Sequence, residues 1–351
     1  MLRVLVILAA LSVLSGVMAD TNGPGEVAMH DLGPKYAATG HPGHEGHKRV
    51  NHDILLSNDL VTYGIRYCAC TDKSHAPYVV PLEGYIGMPR PCACNWYHSG
   101  FMEIIVDGDN IGRYPLADFA ALGSGPRGLA RMVWDYAGGR VRVSFLLEPG
   151  SRYLKVQILL SPSKPPKSIV LALRCYPSYF TSYYHRQGAR RIVTPSAEVK
   201  QGERKTLPAS DNWWALYKDD VFDPARGEGE GPCGLMLMPA QAKSITFAPG
   251  DYAVETRIEY KPDQRDLRLA FWDFKGMANA KALELMKKTT SQVLAQLLTT
   301  NFTPLLVQRT SLAAERAEFE RLRALAGPKL AAEEEKRLAA AEKALQAARK
   351  G

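Results

Sequence analysis

The stretch Tyr252-Ala253-Val254-Glu255-Thr256-Arg257-Ile258-Glu259-Tyr260 alternates between uncharged and charged residues. Successive side chains of a strand point to opposite faces, so Tyr252, Val254, Thr256, Ile258 and Tyr260 share one side while Glu255, Arg257 and Glu259 share the other. One apolar face and one charged face mark an antiparallel sheet that is packed on one side and wet on the other. The same pattern extends outward to residues 131–136, 140–148, 152–160 and 168–176. Between them stand the turn signals Ala137-Gly138-Gly139, Pro149-Gly150 and Pro162-Ser163-Lys164-Pro165-Pro166. Connections this short exclude a parallel crossover, so these four segments predict an antiparallel meander. Further strands are predicted over residues 61–67, 101–107, 234–238, 245–248 and 267–274. That is enough sheet for two layers, and the predicted fold is mainly β: a large antiparallel β-sandwich followed by a C-terminal α-helical segment.

The period changes after Phe274. Leu283, Met286, Thr290, Val293 and Leu297 fall on one helical face with Asn279 as N-cap, which predicts a docked helix over residues 277–300. Residues 311–350 are rich in Ala, Glu, Arg, Lys and Leu and are broken at Gly327-Pro328, the pattern of a helical hairpin or tail that offers a face to a protein partner. At the other end, Arg3, the apolar run from Val4 to Val13 and Val17-Met18-Ala19 read as a signal peptide over residues 1–19. The reading is therefore an exported protein, periplasmic or extracellular, with no transmembrane anchor after cleavage. Residues 20–52, rich in His, Gly and Pro, read as a leader, and residues 53–276 as the sandwich domain.

A composition of 46% hydrophobic and 23% charged residues is that of a globular chain with a substantial core. The formal net charge of +8 is modest. In an exported protein it suits attraction to acidic polymers or a negatively charged envelope surface and gives no support to nucleic acid, and acidic or neutral polysaccharide is the expected partner.

Two C-x-C units, Cys68-Ala69-Cys70 and Cys92-Ala93-Cys94, place like-facing sulfurs at i and i+2 if both lie on strands. Side by side, the four allow two cross-strand disulfides, which export favours, or a four-thiolate zinc site. Cys175 and Cys233 make the natural third disulfide, the alternative being two plain buried thiols. His41, His44 and His47 lie in a short Gly- and Pro-containing tract able to wrap zinc or copper. No cofactor is expected beyond such metal binding.

Two clusters mix aromatic with polar groups, as sugar sites do. One contains Asn212, Trp213 and Trp214, and the other Tyr183 and Arg186. Trp96 follows the second C-x-C unit directly. These six residues form the predicted glycan-binding set. Glu103, Asp135, Glu148, Asp219, Asp220, Asp223 and Asp273 are carboxylates from which an acid/base pair could be drawn, the alternative reading being a carbohydrate-active enzyme of lyase, hydrolase or epimerase type. No zincin, P-loop, dinucleotide or nucleophile-elbow motif is present, and catalytic residues are not assigned. A structural or assembly role for the helical tail is the third reading.

The stretch from Asn212 through Gly231-Pro232-Cys233-Gly234-Leu235-Met236-Leu237-Met238-Pro239 to Leu269-Ala270-Phe271-Trp272-Asp273-Phe274 resembles exported bacterial β-sandwich proteins of unassigned activity. The number and length of strands are more distantly similar to the supersandwich of mutarotase-like proteins. That resemblance implies carbohydrate as the ligand and carries no catalytic residue across.

Overall fold

The structure, a computed structural model, describes residues 25–38, 48–70, 84–98, 100–123, 125–178, 189–227 and 229–304. One compact unit spans Thr21–Phe302. Among the described residues it contains two antiparallel sheets. The first runs, in spatial order, β1 (Ala28–Ala38), β2 (Lys48–Ser57), β3 (Thr62–Cys70), β4 (Tyr85–Arg90), β5 (Met102–Val106), β11 (Ile169–Cys175), β18 (Val254–Tyr260), β17 (Ala242–Pro249) and β14 (Lys205–Pro208), with β6 (Asp109–Asn110) beside β5. The second runs β13 (Glu198–Lys200), β12 (Arg190–Val193), β15 (Trp214–Asp219), β16 (Cys233–Leu237), β19 (Asp266–Asp273), β10 (Tyr153–Pro162), β9 (Gly139–Leu147), β8 (Gly128–Tyr136) and β7 (Leu116–Ala121). Their inner faces share one apolar core that includes Trp96, Phe145, Tyr217, Phe247, Tyr260 and Phe271, all fully buried. The chain is thus a β-sandwich with a C-terminal helix.

The alternation in β18 is realised residue by residue: Val254, Thr256, Ile258 and Tyr260 are buried, and Glu255, Arg257 and Glu259 are exposed. Tyr252 departs from it. The strand begins only at Val254, and Tyr252 is 63% exposed, its ring edge-on to Tyr176 at 4.8 Å.

Of the expected four-strand meander, β8, β9 and β10 stay together, but β11 crosses to the other sheet and pairs with β5 and β18. A short link excludes a parallel crossover within one sheet but not a step between layers, which lie only about 10 Å apart. Regular structure also begins earlier than Asp53, because β1 pairs with β2 through Ala28–Ser57. Its anchor is the brief apolar run Val27-Ala28-Met29, buried to 2% or less and too short to register as a period.

Helix α1 (Asn279–Thr299) packs on the outer face of the second sheet through Ala282, Met286, Val293 and Leu297 against Trp214, Met236, Ala270 and Trp272. Asn279 is its first residue rather than its cap. The capping position falls to Ala278, and the Asn279 amide Nδ2 donates to the Asp219 carbonyl at 2.7 Å instead. At the other end the Arg268 guanidinium donates to the carbonyls of Leu297, Leu298 and Thr300, groups that a helix end leaves unpaired. No helix among the described residues is long and apolar enough to cross a membrane. The predicted signal peptide and the segment 311–350 lie outside the described residues.

Candidate functional site

With α1 on the second sheet, the outer face of the first sheet carries no helix among the described residues. There β5, β11, β18 and β17 form a groove of about 250 Å³. Strand register builds it as two cross-strand rows. Glu103, Ala172, Arg257 and Thr246 stand directly opposite one another in the first, and Arg174, Glu255 and Ala248 in the second. Arg204, one residue before the Lys205–Phe247 pair, closes the second row beside Ala248. The floor is therefore alanine and the walls are arginine, glutamate and threonine. Glu103, Ala172, Arg174, Thr246 and Ala248 are half-buried although no second layer of described residues covers them.

Each groove charge has a distinct state. Arg174 pairs with Glu255 at 3.7 Å. Glu103 accepts from the Asn110 amide at 3.3 Å, and the Thr246 hydroxyl meets that of Thr206 at 2.9 Å. Fork-shaped donors, carboxylate acceptors and hydroxyls facing one wet concavity supply hydrogen bonds of both senses.

A second polar cluster is buried at one end of the sandwich, where the turn after β4 meets the end of β19. Asn95, fully buried, donates through Nδ2 to Asp273 Oδ1 at 3.0 Å and to the Pro232 carbonyl at 3.3 Å, and its Oδ1 accepts from the Ser178 N–H at 3.2 Å. Asp273 also accepts from the Lys275 N–H at 3.0 Å, while its Oδ2 is buried without a partner. Burial lifts its carboxyl to about 7, with the negative charge of Glu230 adding to the rise. Burial is also what pushes up the thiols of Cys92 and Cys94, the latter to about 12, aided by Asp273 and Glu230. These thiols are held protonated, the opposite of an activated nucleophile.

The two C-x-C units do not lie side by side. Cys68 faces Tyr85 at the start of β4, whereas Cys92 and Cys94 come after its end. Cys68 donates to Asn51 Oδ1 at 2.7 Å and receives the Arg49 Nε–H at 2.6 Å. Cys92 sits in a turn, its sulfur accepting the N–H groups of Cys94 at 3.4 Å and Asn95 at 3.3 Å. Convergence required both units to be strands, and the second is not. Cys68, Cys92, Cys94, Cys175 and Cys233 are all free thiols, and no group of three or more His, Cys, Asp or Glu side chains able to hold a metal occurs among the described residues. Cys175 and Cys233 are neighbours across the core, from β11 and β16, and the Cys233 thiol donates to the Asn95 carbonyl at 3.7 Å. The side chain of Cys70, and His41, His44 and His47, lie outside the described residues.

Of the expected glycan-binding set, Trp96, Asn212, Trp213 and Trp214 fall among the described residues, and none of them lines the groove. Trp96 is fully buried, its indole N–H donating to the Trp272 carbonyl at 2.8 Å. Trp214 is covered by α1, and the half-buried Trp213 packs against both apolar clusters. Asn212, 1% exposed, accepts from the Thr194 hydroxyl at 2.6 Å and that of Ser196 at 2.9 Å, and donates to the Pro208 carbonyl at 3.1 Å. These contacts tie a turn to its strands and leave none of the three as an open stacking platform. Tyr183 and Arg186 lie outside the described residues.

Of the seven carboxylates, Glu103 alone lines the groove. Asp135 pairs with Arg140, Glu148 with Lys155 and Asp220 with Arg191 and Lys218, while Asp223 accepts the Ala225 N–H and Asp219 those of Ala189 and Val221. Glu255, the second groove carboxylate, was readable from the sequence as a wet-face residue of β18 but carried no motif.

No protein-family model matches this chain, and no curated protein does. Three of the solved structures that align with it are the following. A candidate aldose 1-epimerase from Klebsiella pneumoniae aligns over 80% of this chain and 100% of its own, at 10% identity and a TM-score of 0.41. A 4-α-glucanotransferase from Thermococcus litoralis aligns over 69% of this chain at 9% identity and a TM-score of 0.30. An α-galactosidase from Geobacillus stearothermophilus aligns over 62% at 8% identity and a TM-score of 0.33. The chain spans 40% of the length of each of the last two.

Proposed function

We propose that this is an exported saccharide-binding protein whose ligand lies in the groove over β5, β11, β18 and β17. The observation that carries the reading is the pair of cross-strand rows: Glu103, Arg174, Glu255, Arg257 and Thr246 around a floor of Ala172 and Ala248. A sugar ring presents several adjacent hydroxyls, each both donor and acceptor, and this wall offers donors and acceptors in alternation. A volume of about 250 Å³ lies just under the roughly 300–1,000 Å³ of small-molecule sites, the scale of one ring in an open chain. Glu103 and Glu255 are already engaged by Asn110 and Arg174, which favours binding over proton transfer.

The test is affinity of the full chain for a polysaccharide panel, with Ala172→Phe filling the floor between Glu103 and Arg257. The expected result is binding that falls about tenfold or more in the variant, a loss of roughly 1.4 kcal/mol, with the thermal midpoint unchanged. Absence of binding across the panel, or binding indifferent to the substitution, would overturn the assignment.

Export also bears on Cys175 and Cys233. In an oxidising compartment each thiol gives up its proton, and the pair passes two electrons to a thiol–disulfide oxidant, which is reduced to a dithiol as one S–S bond forms across the core. Protein recovered from such a compartment is expected to leave both cysteines unalkylated after unfolding without reductant, and to alkylate both after reduction. Full alkylation without reductant would exclude the bond.

A further inference from the structure

We infer that the saccharide is anionic, and that Arg204 and Arg257 receive its charged group. The inference rests on the groove reading above and specifies its ligand. Along the wet face of β18, Glu255 is paired with Arg174 and Glu259 with Lys243 at 3.1 Å. The guanidinium of Arg257, between them, has no ion pair or hydrogen bond among the described residues. Its register neighbours are Ala172 on β11 and Thr246 on β17, both neutral. An opposite charge at either position would contribute roughly 0.2–1 kcal/mol to the sheet. The fold makes no use of this guanidinium.

Arg204 is in the same condition. It is exposed, stands at the end of the other row and has no counter-ion among the described residues, while Glu203 beside it is turned to the Lys200 N–H. The two arginines lie on strands two apart and two residues displaced, which separates their Cα atoms by about 12 Å on standard sheet spacings. Ala248 and Thr246 occupy the surface between them. Two long forked donors thus flank a small, neutral floor from opposite sides. Guanidinium forks match planar carboxylates and sulfate oxygens in bidentate geometry. With Glu255 neutralised by Arg174, Glu103 faces the opposite end of the first row, leaving positive charge at the Arg204 and Arg257 end. An anionic group there completes the pairing that the protein leaves open.

The experiment is calorimetric titration of the full chain with three oligosaccharides of equal length: a neutral galactan, its uronic-acid counterpart and a sulfated galactan. Wild-type protein is expected to bind one or both anionic chains at least about tenfold more tightly than the neutral one, the effect of a charge-assisted pair. The tighter of the two identifies the anionic group. Arg204→Gln and Arg257→Gln are each expected to remove most of that preference, the anionic chains losing more affinity than the neutral one. Equal affinity for neutral and anionic chains, or a preference surviving both substitutions, would overturn the anionic assignment while the groove stands. No binding to any of the three would overturn the groove reading itself.

Discussion

Asp273→Asn is expected to flatten the pH dependence of stability between about pH 4 and 7, where the parent protein loses about 4 kcal/mol through this one carboxyl. The sign follows from burial. The carboxyl titrates near 3.8 when unfolded and near 7 when folded. Below both values each state holds the proton and no penalty arises. Between them the folded state keeps the proton that the unfolded state has released, so stability falls as pH rises. Above about 7 the folded protein carries a buried carboxylate, and the full penalty persists. The groups around it are Asn95, Glu230, Lys275, Tyr63 and the thiols of Cys92 and Cys233. Lys275 is drawn off toward Glu230 at 3.3 Å, so no cation neutralises Asp273 directly. An amide preserves the acceptor for Asn95 and for the Lys275 N–H, and it places a neutral group where Oδ2 is unpaired. Urea unfolding across this range should give diverging curves, with the variant the more stable at pH 8. Parallel curves would mean that Asp273 is ionised throughout.

Trp96→Ala is expected to cost about 3–5 kcal/mol, the range for emptying a large aromatic site in a core. The indole is fully buried between the sheets. It meets Phe271 at 4.9 Å, Tyr217 at 5.4 Å and Phe101 at 6.1 Å, all edge to face. Its removal also strands the Trp272 carbonyl, which takes its N–H at 2.8 Å. The folded fraction of the variant should keep its saccharide affinity, since Trp96 does not line the groove. A variant of unchanged stability that no longer bound ligand would restore Trp96 as a stacking platform and contradict its burial.

The strands legible from sequence are those long enough to show a period. β8, β9, β10, β18 and β19 each run seven residues or more. Of the missed ones, β12, β13 and β14 are short, while β1 and β2 are long but interrupt their apolar residues with polar and charged ones. β13 has three residues with Val199 alone buried, and β7, at the edge of its sheet, has no fully buried residue among its six. The Asn212-Trp213-Trp214 cluster reads two ways for a related reason. Tryptophan beside asparagine is equally the chemistry of a sugar platform and of a capped, hydrogen-bonded core turn. What distinguishes them is a second layer, and α1 over Trp214 comes from a part of the chain remote from it in sequence. The C-x-C units failed on backbone conformation, because the i, i+2 rule that aligns sulfurs holds on a strand and not in the turn that carries Cys92 and Cys94.

By itself the stretch from Val254 to Tyr260 determined that this protein is a sheet with one dry face and one wet face. The alternation is a property of extended backbone and needs no partner. It also placed Glu255 and Arg257 in solvent on the same side. Only the tertiary structure decided that this wet face lines a groove. Register set Ala172 and Thr246 beside Arg257, brought Arg174 to Glu255, and carried Glu103 in from a distant strand. α1 covered the other sheet and left this one open. Neighbours across a sheet are chosen by long-range pairing and layer packing, which local periodicity does not encode.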